Sequence, residues 1–239
     1  MSTVVLVHGA AMDGSMWRYQ ADALTRAGFT SIAVDLPGHG GSEGDPSSSA
    51  KGYAGWLLAY LALLGEPAHL VGHSMGALVV LEAAAARPDL VRSVALIGVS
   101  DLMSVNPDLL AGAAEGDRTM LAMMGKWMHA KDPIGESEWT VDDTVAILQR
   151  ARPGVAFADL TACREHPGAA AVAARVPPPI LLIFGEEDRM TRPSAAEPIA
   201  AAVEATTVIV EGAGHLLPVE RPDVVNEALV GFLLKMEET

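Results

Sequence analysis

Six short runs rich in Val, Ile and Leu constrain the fold of this chain more than any other feature. They lie at Val4 to Val7, Ser31 to Val34, His69 to Val71, Val94 to Val99, Ile180 to Phe184 and Thr207 to Val210. Most are apolar throughout instead of alternating, the pattern of parallel strands covered on both faces. Between them run helical segments, roughly Met16 to Ala27, Gly52 to Leu64, Met75 to Ala86, Ala195 to Val203 and Val224 to Met236. Strand alternating with helix predicts a doubly wound α/β sheet. The punctuation agrees: Glu66-Pro67 opens a strand, Arg87-Pro88 closes a helix, and Pro222 starts the last helix where a missing amide costs nothing. A chain of 239 residues, 50% hydrophobic, can bury one substantial core and is short for two.

From Asp101 to Val176 the alternation stops. Helical periodicity recurs at Met120 to Met128, Val141 to Leu148 and Ala156 to Arg164, with no convincing strand. An all-helical insertion in an α/β sheet is read here as a cap, dividing the chain into a core of residues 1–100 and 177–239 and a cap of residues 101–176. Pro177-Pro178-Pro179 is a stiff extended segment that would return the chain to the sheet. Met103, Met120, Met123, Met124 and Met128 concentrate in the insertion. Thioethers fill irregular space, so an adaptable apolar pocket is expected there, with Met124, Trp127 and Trp139 as substrate contacts.

The net charge of -14 argues against a nucleic-acid partner, which needs clustered Lys and Arg. No apolar stretch approaches a membrane span and no signal pattern precedes Val4, so a cytoplasmic protein without membrane contact is expected. The single cysteine, Cys163, excludes an internal disulfide and a cysteine-based metal cluster. The histidines lack metal-ligand spacing, so neither metal nor cofactor is expected. The oligomeric state stays open.

In an open α/β sheet ligands bind beyond the carboxyl ends of the strands. Those ends carry His8-Gly9-Ala10-Ala11, Asp35 to Ser42, Gly72-His73-Ser74-Met75-Gly76, Gly185-Glu186-Glu187-Asp188 and Gly212-Ala213-Gly214-His215. The third is a GxSxG pentapeptide between a strand-like and a helix-like run. A serine there sits in a strained turn where side chains two positions away would collide, hence the glycines. The turn aims the Met75 amide, at the positive end of a helix, toward an oxygen that becomes negative during reaction. Serine needs a base, most economically a histidine, and the imidazole needs a carboxylate to fix its tautomer. His215 and Asp188 are the loop residues best placed, with Glu186 and Glu187 competing for the acid's role. His8 and His39 read as hydrogen-bonded turn residues, and His73 as a support for the serine turn.

With these blocks in order, HGAAMDG, DLPGHGGS, GHSMG, GEEDRMTRP and GAGHLLPVERP, the chain resembles the α/β-hydrolase superfamily. The resemblance implies Ser74 as nucleophile, Asp188 as orienting acid, His215 as base, and the amides of Ala10 and Met75 as oxyanion donors. The superfamily's first two strands are expected to be absent or replaced, leaving about six. Serine at the nucleophile position argues against branches that use a carboxylate there. Among capped members the chain looks most like serine esterases, enol-lactone hydrolases and carbon-carbon hydrolases. The implied function is a serine hydrolase taking a small apolar ester or lactone through an acyl-enzyme. A carbon-carbon hydrolase or lyase acting on a diketone with the same triad is the alternative, and a non-catalytic ligand receptor a more distant one.

Overall fold

The computed structural model describes residues 2–131, 137–177 and 179–238. Six strands, β1 (Thr3–Val7), β2 (Thr30–Val34), β3 (Ala68–His73), β4 (Val91–Ile97), β5 (Ile180–Gly185) and β6 (Ala205–Val210), form one sheet in the order β2-β1-β3-β4-β5-β6. Every adjacent pair is parallel. Successive side chains of the inner strands point to opposite faces, and both faces are buried. Val5, Val7, Leu70, Leu96 and Leu182 join one apolar cluster, while Val4, Leu6, Val71, Ala95 and Ile183 join the other. Burial on both sides disfavours polar residues, which explains the largely apolar runs. The edge strands differ, and they hold Thr30, Ser31, Thr206 and Thr207 at positions that keep contact with solvent.

Helices α1 (Arg18–Arg26) and α11 (Pro222–Glu237) cover one face, and α2 (Ala50–Leu64) and α3 (Met75–Ala86) the other. Residues Met75 to Ala84 of α3 are all buried, including Glu82. A helix enclosed on all sides needs no polar face, so its sequence reads as nearly continuous Ala, Leu and Val. After β5 come α9 (Glu197–Ala202) and, beyond β6, the short α10 (Leu217–Glu220).

Between β4 and β5 the chain forms α4 (Pro107–Glu115), α5 (Arg118–Met128), α6 (Val141–Arg150), α7 (Val155–Arg164) and α8 (Ala169–Ala173), with no strand among the described residues. Local chemistry starts three of them. The Asn106 side chain accepts from Asp108 and Leu109 amides, Asp117 from Thr119 and Met120, and Thr140 forms a reciprocal capping box with Asp143. Periodicity does not reveal α4 or α8. The signal for α4 lies in its ends: Asn106 as cap, Pro107 in the first turn, and Gly116 at φ 71° closing it. At five residues, α8 is too short for a period to register. The chain rejoins the sheet where the Val94 amide donates to the Pro179 carbonyl at 3.3 Å; Pro178 of the triple proline lies outside the described residues. Among the described residues no helix is long and apolar enough to cross a membrane.

Candidate active site

Ser74 occupies the single position between β3 and α3, at φ 53° and ψ -115°. Among the described non-glycine residues only Ser74 and Ala11 have positive φ, a conformation that costs about 1–3 kcal/mol and is retained where surroundings impose it. The surroundings are backbone. The Ser74 amide donates to Ile97 O at 2.9 Å, and its carbonyl accepts from Ala77 N at 3.0 Å. A Cβ on Gly72 would lie 2.3 Å from Gly76 O, and one on Gly76 would lie 2.3 Å from Val7 O. The glycine spacing is therefore a packing requirement of the junction. Met75 is the first residue of α3, so its amide stays outside the helical ladder, at the positive end of the helix.

His215 and Asp188 come from the loops after β6 and β5, which touch backbone to backbone: a Cβ on Gly185 would lie 2.2 Å from Gly214 O. Both side chains are buried, and His215 Nδ1–H donates to Asp188 Oδ2 at 2.8 Å. Asp188 Oδ1 accepts the amides of Met190 and Thr191, each at 2.8 Å, while the Thr191 hydroxyl donates to Oδ2 at 2.7 Å. Burial opposes the Asp188 charge, but His215 and the Thr191 donors outweigh it and hold this carboxyl well below the usual carboxylate range. With Nδ1–H committed to the carboxylate, the His215 lone pair sits on Nε2. Of the competing acids, Glu186 accepts from the Gly212 amide at 3.2 Å, and the carboxylate on His215 Nδ1 is that of Asp188.

Two further side chains brace the His215 loop. His73 Nε2–H donates to the His215 carbonyl at 2.8 Å, and burial together with the nearby His215 lowers the His73 pKa to about 3, so this ring is neutral. Glu220 Oε2 accepts from Gly214 N at 3.2 Å and from Ala130 N at 2.8 Å, tying the loop to the chain after α5. Sequence reasoning singles out His73 and misses Thr191 and Glu220. For Thr191 a signal exists, a threonine three residues after an aspartate at a strand end; for Glu220 the partners are remote amides that no local pattern announces.

Ser74, His215 and Ala10 meet at one cavity of about 50 Å³, walled by Met103, Met124, Met128 and Met190 with Leu160 and Cys163. Of the three substrate contacts expected from sequence, Met124 lies on this wall. Trp127 and Trp139 do not: Trp127 is 37% exposed, and the Trp139 indole N–H is committed to Thr144 Oγ1 at 2.8 Å. Burial and the charge of Asp159 push the Cys163 thiol up, so it stays protonated. A larger groove of about 720 Å³ lies between β6 and α11, but its walls hold neither serine nor histidine. His8 is a turn residue, donating from Nδ1–H to Gly9 O at 2.9 Å and accepting from Leu36 N at 3.1 Å. Among the described residues no group of three or more His, Cys, Asp or Glu is placed to hold a metal.

A family model described as "Alpha/beta hydrolase family" matches residues 4–228. The chain is 30% identical over 248 residues to the dihydrolipoyllysine-residue acetyltransferase component of an acetoin cleaving system from Pseudomonas putida; the match covers 97% of this chain and 63% of that protein. The chain thus spans less than two thirds of that relative's length. It is 28% identical over 246 residues to the carboxylesterase YbfK of Bacillus subtilis, with 97% of this chain and 80% of that one covered. A thermophilic esterase from Thermogutta terrifontis has a similar fold, at TM-score 0.88 and 24% identity, over 99% of this chain and 90% of that one. A family match across nearly the whole sheet, its loops and the inserted helices settles the kinship: this chain belongs to the alpha/beta hydrolase family.

Proposed function

We propose that this enzyme is a serine hydrolase that cleaves a small carboxylic ester or lactone through an acyl-enzyme. The observation that carries the reading is that the strained Ser74 and the Asp188-braced His215 line one apolar cavity beside Ala10. The Ser74 hydroxyl attacks the carbonyl carbon while His215 Nε2 takes its proton. The electron pair moves to the carbonyl oxygen, which the amides of Ala10 and Met75 hold, each stabilising it by about 3 kcal/mol. His215 then protonates the leaving oxygen as the ester bond breaks. Water, deprotonated by the same nitrogen, attacks the acyl-serine and releases the acid. Asp188 keeps its charge throughout and stabilises the imidazolium.

In this reading residues 101–176 form the cap, residues 1–100 and 177–239 the core, and the methionine wall receives an apolar group of the substrate. The esterase and carboxylesterase names among the similar proteins support ester chemistry. The test is labelling with a fluorophosphonate and turnover on aryl esters, enol lactones and vinylogous diketones, with Ser74→Ala as blank. Labelling of the Ser74 peptide with ester or lactone turnover abolished by Ser74→Ala is the expected result. An unlabelled protein, or a Ser74→Ala variant with full turnover, would overturn it, and exclusive turnover of diketones would transfer the triad to carbon-carbon cleavage.

A further inference from the structure

Asp159, on α7 of the inserted helices, is completely buried beside the site yet has no part in the mechanism above. Its carboxylate accepts from three donors that come from three separate parts of the core. Oδ2 accepts the Ala11 amide at 2.7 Å and His39 Nε2–H at 2.7 Å, and Oδ1 accepts the Tyr53 hydroxyl. Ala11 belongs to the loop after β1, His39 to the loop after β2, and Tyr53 to α2.

The Ala11 contact bears on chemistry. Gly9 to Met12 form a turn closed by Met12 N donating to Gly9 O at 3.2 Å, with Ala10 and Ala11 at its centre. Ala11 sits at φ 55°, a position that ordinarily favours glycine. A side chain that holds its amide compensates for that preference. The Ala11 N–H belongs to the peptide plane that follows Ala10, so fixing it limits the direction of the Ala10 N–H one plane earlier. Leu160, next to Asp159 on α7, stands on the cavity wall, so a single helix both walls the cavity and anchors the loop.

The charge needed for such an anchor is supplied locally. His39 Nδ1 faces the carbonyls of Leu36 at 3.3 Å and Pro37 at 3.1 Å, while Nε2 faces the carboxylate. With acceptors on both sides the ring holds two protons and is a cation. Burial opposes that charge, but Asp159 outweighs it and raises the His39 pKa. The same carboxylate oxygen that meets this ring accepts the Ala11 amide at 2.7 Å, the short distance of a charge-assisted bond.

We propose that Asp159 is a positioning residue for the oxyanion loop, supplied by the inserted helices and acting through the Ala11 amide to aim the Ala10 donor. The proposal rests on the serine-hydrolase reading. It makes the insertion part of the catalytic assembly: α7 must stay docked during turnover, whatever the other inserted helices do.

The test compares Asp159→Ala, Asp159→Asn and Tyr53→Phe. Tyr53→Phe removes a donor from the same carboxylate without touching the oxyanion loop, so it reports the structural cost of disturbing the buried cluster. The readouts are kcat and KM on an aryl ester, the rate of fluorophosphonate attachment to Ser74, and the melting temperature. Loss of an oxyanion donor lowers kcat by about 100- to 1,000-fold, and misdirecting one by less, so Asp159→Ala is expected to lower kcat by about 10- to 100-fold with KM within threefold. Asp159→Asn keeps an acceptor for Ala11 and is expected to retain more activity than Asp159→Ala. Tyr53→Phe is expected to lower the melting temperature but keep kcat within twofold. If Asp159→Ala fails to fold, Asp159→Asn falling below Tyr53→Phe in kcat still upholds the proposal. Both Asp159 variants within twofold of wild-type kcat would overturn it. So would a Tyr53→Phe variant that loses as much kcat as Asp159→Asn, since the role would then be structural. Wild-type labelling at Ser74 separates the two readings: with labelling intact these results judge Asp159 alone, and without it the serine-hydrolase reading falls and takes this one with it.

Discussion

At the sheet edge, a methyl group added to Gly72, Gly76 or Gly185 would come within 2.3 Å of a backbone oxygen. The inserted segment reaches the same cavity through Met103, Met124 and Met128, side chains with three rotatable bonds each. One region is fixed by backbone against backbone and has no room to adjust. The other is fixed by caps at its helix ends and by flexible side chains between them. The difference teaches where tolerance should lie: under the proposed function, the geometry assigned to bond cleavage is built from contacts that cannot yield, and the geometry assigned to admitting a substrate from contacts that can.

The largest expected effect tests the rigid side. Asp188→Asn keeps the shape of the acid but offers an N–H where His215 Nδ1–H needs an acceptor, favouring the wrong imidazole tautomer. A fall in kcat of about 10,000-fold with little change in KM is expected from steady-state kinetics. A loss below tenfold would mean that the sheet edge is less exacting than its packing implies.

Acid pH probes both regions at once. Burial lowers the pKa of His8 and of His129 to about 4 and that of His73 to about 3. In the unfolded chain these histidines protonate near 6.5, so between that value and the folded values the unfolded state binds more protons and stability falls as pH falls. Three such groups give a slope approaching about 4 kcal/mol per pH unit at its steepest. His39 works the other way, because its raised pKa contributes stability below the unfolded value that is lost as pH rises through the folded one. The melting temperature should therefore drop steeply between about pH 6 and pH 4.5. His129 belongs to the inserted side, where its Nε2 meets Thr144 Oγ1 at 2.8 Å. His129→Gln should remove one proton from the slope and leave the sheet-edge share from His8 and His73. A slope unchanged by this substitution would contradict its buried, neutral state.

Gly76→Ala comes next. The added methyl would lie 2.3 Å from Val7 O and 2.5 Å from His8 O, both fixed in or beside β1. The expected loss is about 3 kcal/mol from the denaturation midpoint, with the loop that carries Ala10 displaced because it follows β1 directly. Equal stability in the variant would show that the junction can open after all.

The two regions were also unequally legible. Strand positions could be read from sequence because burial on both faces leaves mostly apolar residues in β1, β3 and β5, and the strand-end glycines mark where backbones approach. Those rules place Ser74, Asp188 and His215 at one edge, where the structure brings Ser74 and His215 to a common cavity and Asp188 onto His215. What braces them was not readable. Thr191, Glu220 and Asp159 act through partners that, apart from the Asp188–Thr191 pair, depend on how distant loops meet. In the insertion, helical spacing tells which residues share a face but not which face looks inward. Trp127 therefore reads like a pocket residue, although the structure leaves it partly in solvent.

The smallest expected effect tests the adaptable side. Met124 is buried on α5 and stands on the cavity wall. Met124→Leu conserves volume, so its cost should stay below about 1.5 kcal/mol, or under about 6 °C in melting temperature for a chain of this size. A branched end cannot follow a bound acyl chain as a thioether does. The ratio of kcat/KM between short and longer acyl esters should therefore shift by about two- to tenfold, since one methylene in an apolar pocket changes the rate by ten- to two-hundredfold at most. Ser74 labelling by a small fluorophosphonate should proceed at the wild-type rate, because the sheet edge is untouched. A changed labelling rate with an unchanged chain-length profile would reverse the comparison, putting reactivity under the control of the inserted helices and selectivity elsewhere.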